Sequence, residues 1–461
     1  MFPRDTYVNR RQVLASQFEG GLLLFPGNRE SPMNYADNCY HFRQDSTFLY
    51  YFGLDQPDLA AVIDVDAGTT TVFGDELTID HVVWMGDLPT VADRAESVGV
   101  VDTQPLSAVA KMMGRAVSAG RAIHFLPPYR GSTTIQVGQL LGLSPEEVDG
   151  EASKELIQAV ADQRSYKSDE EISEIEKAVG ISVSMHEAAI RMARPGMVES
   201  EISAEVERVA RAAGGELAFP VIATINGQTL HNHHHGNTIS EGDLFLLDTG
   251  AETAMGYAGD LTSTFPVSPT FSERQRTIYE ILLSSYETAT TSLVPGTPYK
   301  DVHFKACRVI FEGLKGLGIF TGDTDEALAA GAHAMVMPHG LGHMMGLDVH
   351  DMENLGEVVV GYAGEPQSTQ FGLKSLRLAR PLEPGFVLTV EPGIYFIPQL
   401  MDLWRSNGHC GGFIDFDELD KWRDFGGVRC EEDFLITADG ARRLGPPKPK
   451  TIPEIEALRG G

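Results

Sequence analysis

The sequence predicts two domains, an α/β domain over residues 1–160 and an α+β domain over residues 161–461. Short apolar runs alternate with helical apolar spacing in the first part, which is typical of an α/β domain. The second part begins with a helix-start signal and becomes rich in strands toward its end. The chain has 461 residues, 42% of them hydrophobic, which is ample for a large core.

The expected elements of the first domain follow a regular order. An apolar run at 20–25 ends at Pro-Gly and predicts a buried strand. Residues 59–65 and 69–73 are strand-like and flank an Asp-Ala-Gly turn, which is typical of a β-hairpin. Residues 106–117 carry apolar side chains at helical spacing, and 121–126 predict a further strand. We therefore expect a self-contained domain that ends near residue 160.

The second domain is expected to begin with two helices. After a linker at 162–167, Ser168 and Glu171 form a capping box, which predicts a helix to about residue 193. A second helix is expected at 199–213. The remaining predicted elements are strands at 220–225 and 244–248, helices at 272–293 and 299–317, and strands at 386–390, 394–397 and 434–437. This order predicts an α+β domain.

The chain is strongly acidic, with 36 Lys and Arg against 65 Asp and Glu and a net charge of −29. Such a charge repels nucleic acids and anionic membranes, so we expect neither as a partner. The cysteines Cys39, Cys307, Cys410 and Cys430 form no CxxC pair, which favours reduced thiols over disulfides. Neither a signal peptide nor an apolar run of membrane-spanning length is recognisable, so we expect a cytoplasmic protein.

Two aspartates lie at the ends of neighbouring predicted strands. Asp248 ends the run at 244–248, and Asp260 leads into the apolar residues 261–267. Two strands joined by a turn would bring both carboxylates to one face of a sheet, where they would need a cation. The alternative is a pair of exposed strand-end aspartates, and these two residues alone do not decide between the interpretations.

Three histidines lie within the glycine-rich segment 338–350. His339 and His343 are four positions apart, but the glycines argue against a firm helix, and His350 ends the segment. Glycine allows the backbone to approach a ligand closely. The segment therefore indicates a ligand-binding loop, and the alternative is a surface loop with incidental imidazoles.

Further acids adjoin the strands of the last part. Glu391 ends an apolar strand ahead of a rigid Pro-Gly turn. Acidic residues at the start of the final predicted strand call for a cation, and Arg429 supplies one charge. Alternation along the strand places Arg429, Glu431 and Asp433 on one face. Glu432 then faces the other way, so we choose Glu431 as the potential ligand.

Together these segments offer four carboxylates and one imidazole as metal ligands: Asp248, Asp260, His343, Glu391 and Glu431. Four carboxylates cannot share a pocket unless cations neutralise them. Hard oxygen ligands with one imidazole suit a pair of divalent ions, with Mn²⁺ as the first choice and Co²⁺ or Zn²⁺ as alternatives. Such a pair is suited to hydrolysis.

The order of these five segments resembles that of the pita-bread metallopeptidases of the M24 type. These include Xaa-Pro dipeptidase, aminopeptidase P and methionine aminopeptidase. The resemblance covers nearly the whole chain, and the segment 41–46 is similar to that of the proline-specific members. It implies a creatinase-like α/β domain at 1–160 and a pita-bread catalytic domain at 161–461, and it implies a homodimer.

The resemblance also implies a role for each ligand. Asp248 would bind one metal through both oxygens, Asp260 and Glu431 would bridge the two ions, and His343 and Glu391 would complete the shell of the other metal. Intact ligands at all five positions disfavour two further alternatives. One is a pseudo-enzyme that keeps the fold for partner binding, and the other is creatine amidinohydrolase, which shares the fold without the metals.

The same resemblance implies roles around the metals. Glu391 would also carry a proton from water to the leaving imino nitrogen. His231 and His350 would donate hydrogen bonds to the substrate as negative charge develops. His339 would support the pocket, and Arg429 would lie beside the clustered acids.

The choice among the proline-specific members depends on the region before Glu431. The segment 371–377 and a long stretch with Trp404 and Trp422 resemble the dipeptidases more than the compact aminopeptidases P. In the dipeptidases the position that matches Arg377 contacts the free carboxylate of the substrate, and an Arg fork suits a carboxylate. The alternative for Arg377 is a surface charge on a polar loop.

We therefore predict an enzyme that hydrolyses Xaa-Pro dipeptides, small peptides with proline at position two, at the bond before proline. The alternative is an aminopeptidase P that acts on longer peptides. The histidine run at 233–235, directly after His231, matches nothing in the dipeptidase pattern. An exposed loop is the commoner outcome for such a run.

Overall fold

The structure, a computed structural model, describes residues 1–460 and divides into two compact units. The first unit comprises Met1–Arg164 and Met352–Val359, and the second comprises the rest of the described chain. Within residues 1–460, no helix is both long and apolar enough to cross a membrane.

The first unit is an α/β structure around one five-stranded sheet. Its helices are α1 (Arg4–Ala15), α2 (Ser46–Phe52), α3 (Ile79–Met85), α4 (Val91–Ser97), α5 (Ala108–Ser118), α6 (Gly131–Leu141), α7 (Pro145–Val148) and α8 (Lys154–Ser165). Its strands are β1 (Leu22–Pro26), β2 (Ala60–Asp64), β3 (Thr69–Phe73), β4 (Asp102–Gln104) and β5 (Ile123–His124), in the spatial order β4-β3-β2-β1-β5.

The core of this sheet explains its apolar strands. The antiparallel pairs β1–β2 and β2–β3 form the centre, and the edge pairs β1–β5 and β3–β4 are parallel. Leu22, Leu24 and Phe73 are fully buried in one cluster with Val109 and Met113 of α5. The predicted strand at 20–25 and the hairpin are confirmed. The strand predicted at 121–126 contracts to β5, which pairs with β1 over two residues.

The second unit contains most of the remaining elements. Its helices are α9 (Asp169–Met192), α10 (Glu199–Ala212), α11 (Glu273–Thr291), α12 (Tyr299–Gly316), α13 (Thr324–Ala329), α15 (Pro398–Asn407), α16 (Phe416–Asp420) and α17 (Ile452–Arg459), while α14 (Glu357–Val360) begins in the Met352–Val359 segment. Its strands are β6 (Glu216–Leu217), β7 (Ile222–Thr224), β8 (Leu244–Thr249), β9 (Ala251–Glu252), β10 (Leu261–Pro266), β11 (Val387–Val390), β12 (Gly393–Tyr395), β13 (Gly427–Arg429), β14 (Glu432–Ile436) and β15 (Ala441–Arg443).

The strands of the second unit form two three-stranded sheets, β10-β8-β7 and β11-β14-β15, and two strand pairs, β12–β13 and β6–β9. β8 and β10 pair antiparallel along their whole length, and every residue in both is buried. Single antiparallel bridges extend this framework at Thr262–Glu431 and Met344–Leu388. The acids and the histidine loop are thereby tied to buried strands.

The first predicted helix of the second unit is confirmed in detail. The Ser168 hydroxyl accepts a hydrogen bond from the Glu171 N–H at 3.4 Å, and the Glu171 carboxylate accepts one from the Ser168 N–H at 3.1 Å. The predicted linker at 162–167 is wrong for most of its length, because α8 continues to Ser165. An amphipathic helix end and a polar linker have similar compositions, which explains the error.

Candidate metal centre

The two aspartates are placed by strands β8 and β10. Asp248 lies on β8 opposite Thr262 of β10, and Asp260 immediately precedes β10. The connection is very tight, because a Cβ atom added to Gly250 would lie 1.7 Å from the Gly259 carbonyl oxygen. Only glycine permits this approach. The tight connection reverses the chain direction, so that the Asp248 and Asp260 carboxylates come close enough to interact.

Glu431, from a distant part of the sequence, forms two hydrogen bonds to strand β10. Its N–H donates to the Thr262 carbonyl at 3.1 Å, and the Thr262 hydroxyl donates to its carboxylate at 2.7 Å. Glu432 instead pairs with Lys450 at 2.8 Å. Asp433 again points toward the acids, since its carboxylate accepts the Asp260 N–H at 3.0 Å. The observed contacts follow the alternation expected from the sequence.

The histidine loop runs beside β11 as an irregular strand. Thr389 donates its N–H to the His343 carbonyl at 3.0 Å, and Glu391 donates its N–H to the Leu341 carbonyl at 2.8 Å. A Cβ atom on Gly342 would lie 2.1 Å from the Thr389 carbonyl oxygen. A glycine is therefore required for this contact, and the contact sets His343 and Glu391 side by side.

The His343 imidazole is oriented for a ligand role. Its Nδ1–H donates to the Met344 carbonyl at 3.0 Å, so Nε2 carries the lone pair. Nε2 lies 3.4 Å from Asp260 Oδ2 and 3.9 Å from Glu391 Oε1. One ligand atom from each of Asp260, His343 and Glu431 lies within 4.8 Å of the others. The structure thus brings these groups together.

The clustered acids strongly perturb one another. Burial, followed by Asp248, raises the pKa of Asp260 well above its usual value. Burial and then Glu431 raise the pKa of Glu391, and burial and then Asp260 raise that of Glu431. In the absence of a cation, this environment favours the protonated acids. A positive ion among them would favour the ionised forms.

Arg429 and Tyr395 form the polar wall of the cluster. The Arg429 guanidinium donates to Asp248, to the Thr262 hydroxyl at 3.1 Å and to the Tyr395 hydroxyl at 2.8 Å. Burial alone would lower the pKa of Arg429, but Tyr395, Asp248 and the glutamates outweigh it and raise that pKa. The guanidinium therefore stays charged between these groups.

Tyr395 also connects Arg429 with His339. Its hydroxyl donates to His339 Nε2 at 3.0 Å, while His339 Nδ1–H donates to the Gly340 carbonyl at 2.7 Å. Burial lowers the pKa of His339 to about 3, so this imidazole remains neutral. Tyr395 was not among the residues predicted from the sequence. Its position two residues beyond Gly393, on the strand after Glu391, was the available signal.

The residues present fit divalent metal ions. Within residues 1–460, Asp260 Oδ1 is buried without a hydrogen-bond partner, although buried polar atoms are normally paired. Arg429 lies among four carboxyl groups, and Arg377 acts on one of them, Glu391, so the ionised acids would outnumber the cations. Oxygen donors with one imidazole match the preferences of hard divalent cations. The donor set, its charge and the unpaired oxygen all agree with a metal centre.

The family model for metallopeptidase family M24 matches residues 173–438, which is more than half of the chain. The chain belongs to metallopeptidase family M24. A second model, the N-terminal domain of aminopeptidase P, matches residues 7–124. The predicted family and fold class are confirmed, with a creatinase-like α/β domain followed by a pita-bread catalytic domain. The chain is a metallopeptidase.

Relatives of this metallopeptidase carry two different names. Human Xaa-Pro dipeptidase is 33% identical over 96% of this chain and 89% of its own length. The Xaa-Pro aminopeptidase of Escherichia coli strain K12 is 31% identical over 99% of this chain and 97% of its own. Among solved structures, the alignment with Pseudomonas aeruginosa aminopeptidase PepP covers 100% of this chain and 98% of the PepP chain, at a TM-score of 0.81 and 29% identity. Zinc-substituted E. coli aminopeptidase P with bound product covers the same shares, at a TM-score of 0.80 and 29% identity.

Three other predicted residues surround the acids of the metallopeptidase. The His350 ring packs against the His343 ring, with centroids 4.2 Å apart and planes at 66°. Much of His231 is exposed. Burial of the rest of the side chain lowers its pKa, and the negative charge of Asp248 opposes this shift. Arg377 is half-buried, and its charge acts on Glu391 to lower the pKa of that acid. All three are within electrostatic or direct contact range of the cluster.

The histidine run after His231 is separate from the acid cluster. His233 and His234 are exposed, and His235 Nε2 forms a hydrogen bond to the Val221 carbonyl at 3.0 Å. Among the described residues, no group of three potential metal ligands includes a member of this run. The expected exposure is confirmed for His233 and His234, whereas His235 is partly buried.

Proposed function

We propose that this metallopeptidase hydrolyses Xaa-Pro dipeptides at the bond before proline. The names of its relatives support proline at position two, because they are Xaa-Pro dipeptidases and Xaa-Pro aminopeptidases. The restriction to dipeptides depends on one observation, the position of Arg377 beside the acid cluster. The cytoplasmic location, the homodimer and the domain boundary after residue 160 also remain proposals.

Five residues would hold the two metal ions: Asp248, Asp260, His343, Glu391 and Glu431. Mn²⁺ is our first choice because oxygen ligands predominate, and Co²⁺ or Zn²⁺ would also fit such a shell. When bound, divalent ions polarise the scissile carbonyl and lower the pKa of coordinated water.

Glu391 is proposed as the proton carrier. Its side chain is 20% exposed, so it can reach a substrate, and it lies beside His343 and Glu431. A carboxylate in that position can accept a proton from water. It can then return that proton to the proline nitrogen as the peptide bond breaks.

The histidines are proposed to orient the substrate through their N–H donors. The His350 ring packs against the ring of His343, which is one of the proposed metal ligands. His231 would donate from the exposed side. His339 is engaged with Tyr395 and the Gly340 carbonyl, so we assign it to holding Tyr395 in place.

Arg377 is proposed to bind the free carboxylate of the dipeptide. A guanidinium offers two parallel N–H donors that match a carboxylate, and this contact would reject longer peptides. Arg377→Ala should therefore reduce kcat/KM for an Xaa-Pro dipeptide at least about tenfold more than for Xaa-Pro-Xaa, a difference of roughly 1.4 kcal/mol. The measurement is a dipeptide and tripeptide panel on protein reloaded with each metal in turn.

Lys374→Ala is the matched control for this experiment. Lys374 lies three residues earlier in the same segment, is exposed, and stacks its charge on Phe371 at 5.7 Å. Its loss should leave kcat/KM for both substrates nearly unchanged. Equal losses on both substrates in Arg377→Ala would refute the carboxylate contact while leaving the metallopeptidase activity itself in place.

An Xaa-Pro aminopeptidase is the second candidate. It is favoured by the solved structures, because aminopeptidases P cover the whole chain at TM-scores of 0.80 and 0.81. The wild-type protein separates the two candidates directly. Faster hydrolysis of Xaa-Pro-Xaa than of Xaa-Pro would select the aminopeptidase.

A further inference from the structure

A second group of potential metal ligands lies in the second unit, apart from the acid cluster. His303 and Cys307 are one turn apart on α12, and His333 lies in the 3₁₀ turn Ala332–Met335. One ligand atom from each lies within 4.8 Å of the other two. All three residues are fully buried. None of them belongs to the proposed hydrolytic machinery.

The sulfur atoms of Cys307 and Met337 and the imidazole of His303 lie close together. Cys307 Sγ lies 3.4 Å from His303 Nε2, as the i, i+4 spacing on a helix allows, and 4.0 Å from Met337 Sδ. The rings of His303 and His333 have centroids 5.8 Å apart and planes at 74°. Two nitrogen ligands, one thiol and one thioether therefore converge from two separate stretches of chain.

His333 is the observation that points to a ligand. Across residues 1–460, neither of its ring nitrogens has a hydrogen-bond partner, although the residue is fully buried. Buried imidazoles normally use both nitrogens. Phe304 contacts the ring edge-on at 5.9 Å, and a Cβ atom on Gly372 would lie 3.8 Å from its Nε2. The ring is enclosed, so its unused lone pair can serve a ligand inside the cluster.

The charges around the cluster discriminate between possible ions. Burial raises the pKa of Cys307, lowers that of His333 to about 4 and lowers that of His303, so all three are neutral without a ligand. The positive charge of Lys300 also lowers the pKa of His303. One thiolate neutralises a monovalent ion completely, whereas a divalent ion would leave a buried positive charge near that lysine. Burying an uncompensated charge is strongly unfavourable.

We propose that His303, Cys307 and His333 bind one Cu⁺ ion, with the Met337 thioether as a weaker fourth ligand. Thiolate and thioether ligands are soft and select Cu⁺ over harder cations. On binding, the Cys307 thiol loses its proton to solvent and the sulfur forms a bond to copper. No change of oxidation state is involved, and the site remains electrically neutral.

The test is a Cu⁺ competition titration on the full chain loaded with Mn²⁺, carried out without oxygen. The background variant Cys39→Ser/Cys410→Ser removes the two more accessible thiols. Cu⁺ is supplied as its bicinchoninate complex, and the loss of that coloured complex reports transfer to protein. We expect one Cu⁺ per chain and a higher unfolding temperature. X-ray absorption should show both sulfur and nitrogen ligands.

Three single variants in that background test the ligand set. Cys307→Ser and His333→Phe should each weaken Cu⁺ binding at least about 100-fold, because loss of even a residue that only orients a metal ligand costs about 10–100-fold. His333→Phe also removes the unpaired nitrogens, so its metal-free unfolding temperature should not fall. Met337→Leu preserves volume and should weaken binding less. Hydrolysis by the Mn²⁺-loaded variants should be unchanged.

Three outcomes would overturn the proposal. They are Cu⁺ transfer no greater than in Cys307→Ser, retention of full Cu⁺ affinity in His333→Phe, or tighter binding of Zn²⁺ than of Cu⁺. If His333→Phe fails to fold, the comparison of the background variant with Cys307→Ser and Met337→Leu decides the matter.

Discussion

Arg429 is the residue on which the charge balance of the acid cluster depends. Its guanidinium contacts Asp248, Thr262 and Tyr395 at the same time and is almost completely buried. A planar fork can satisfy three partners in fixed directions, which a lysine ammonium on a flexible stem cannot. The residue therefore both positions Asp248 and offsets part of the negative charge.

Arg429→Lys should lower the affinity for Mn²⁺ by about 10–100-fold, the usual effect of losing a partner that orients a metal ligand. Asp248 loses its fixed contact while the positive charge is kept, so the change isolates geometry from charge. Isothermal titration of metal-free protein with Mn²⁺ measures the effect. Arg423→Lys is the control, because Arg423 forms exposed ion pairs with Asp402 and Asp420. Unchanged affinity in Arg429→Lys would contradict this role.

At the level of elements, the contact between the histidine loop and β11 determines where His343 lies. The loop has no regular secondary structure, yet it forms hydrogen bonds to Thr389 and a bridge between Met344 and Leu388. Gly342 lies against the Thr389 carbonyl and the Tyr299 hydroxyl. This approach explains why a segment with His at i and i+4 is not a helix.

Gly342→Ala should push the loop away from β11 and destabilise the protein by about 1–3 kcal/mol, as overpacking in a rigid core does. His343 would move with the loop, so Mn²⁺ affinity should fall as well. Thermal unfolding and metal titration measure the two effects. Gly316→Ala is the matched control at the end of α12, where a Cβ atom meets nothing within 4 Å. Equal behaviour of the two variants would be inconsistent with a close contact at Gly342.

The elements also differ in how far sequence could predict them. Helices α9 and α10 have ends that agree with the prediction to within a residue, and α9 begins at the predicted capping box. Helices α3, α4 and α6 were not predicted, because their periodicity is short or weak. Local signals fix a helix end, whereas strand length depends on how many residues find a pairing partner, as the short β5 illustrates.

For the whole molecule, the acid cluster links metal binding to stability. The chain carries a net charge of −29, and four carboxyl groups in and beside the cluster have raised pKa values in the metal-free fold, those of Asp260, Glu391, Glu431 and Asp433. As pH rises, the unfolded chain releases these protons first. The stability from these groups is therefore complete below their ordinary pKa values of 3.8 and 4.5 and is lost as pH rises through the raised values.

Mn²⁺ should therefore raise the unfolding temperature more at about pH 8 than at about pH 4.5. The metal requires ionised ligands, and the metal-free protein becomes less stable as those ligands ionise. Calorimetry with and without Mn²⁺ across this pH range measures the two unfolding temperatures. Subtracting the metal-free value from the Mn²⁺ value at each pH removes the effects of distant charges. Asp260→Asn removes one titrating group, so its metal-free form should lose less stability with rising pH. A difference that does not depend on pH would contradict the linkage.

Local patterns indicated the potential ligands, their order along the chain and the strand ends that carry most of the carboxylates, because alternation and turn chemistry are local properties. It also indicated Glu431 over Glu432, and the contacts of the two residues differ accordingly. Which distant groups come into contact depends on the tertiary fold. Tyr395 beneath Arg429, Thr262 beside Glu431 and His333 beside Cys307 depend on sheet register and helix packing, which no local pattern encodes.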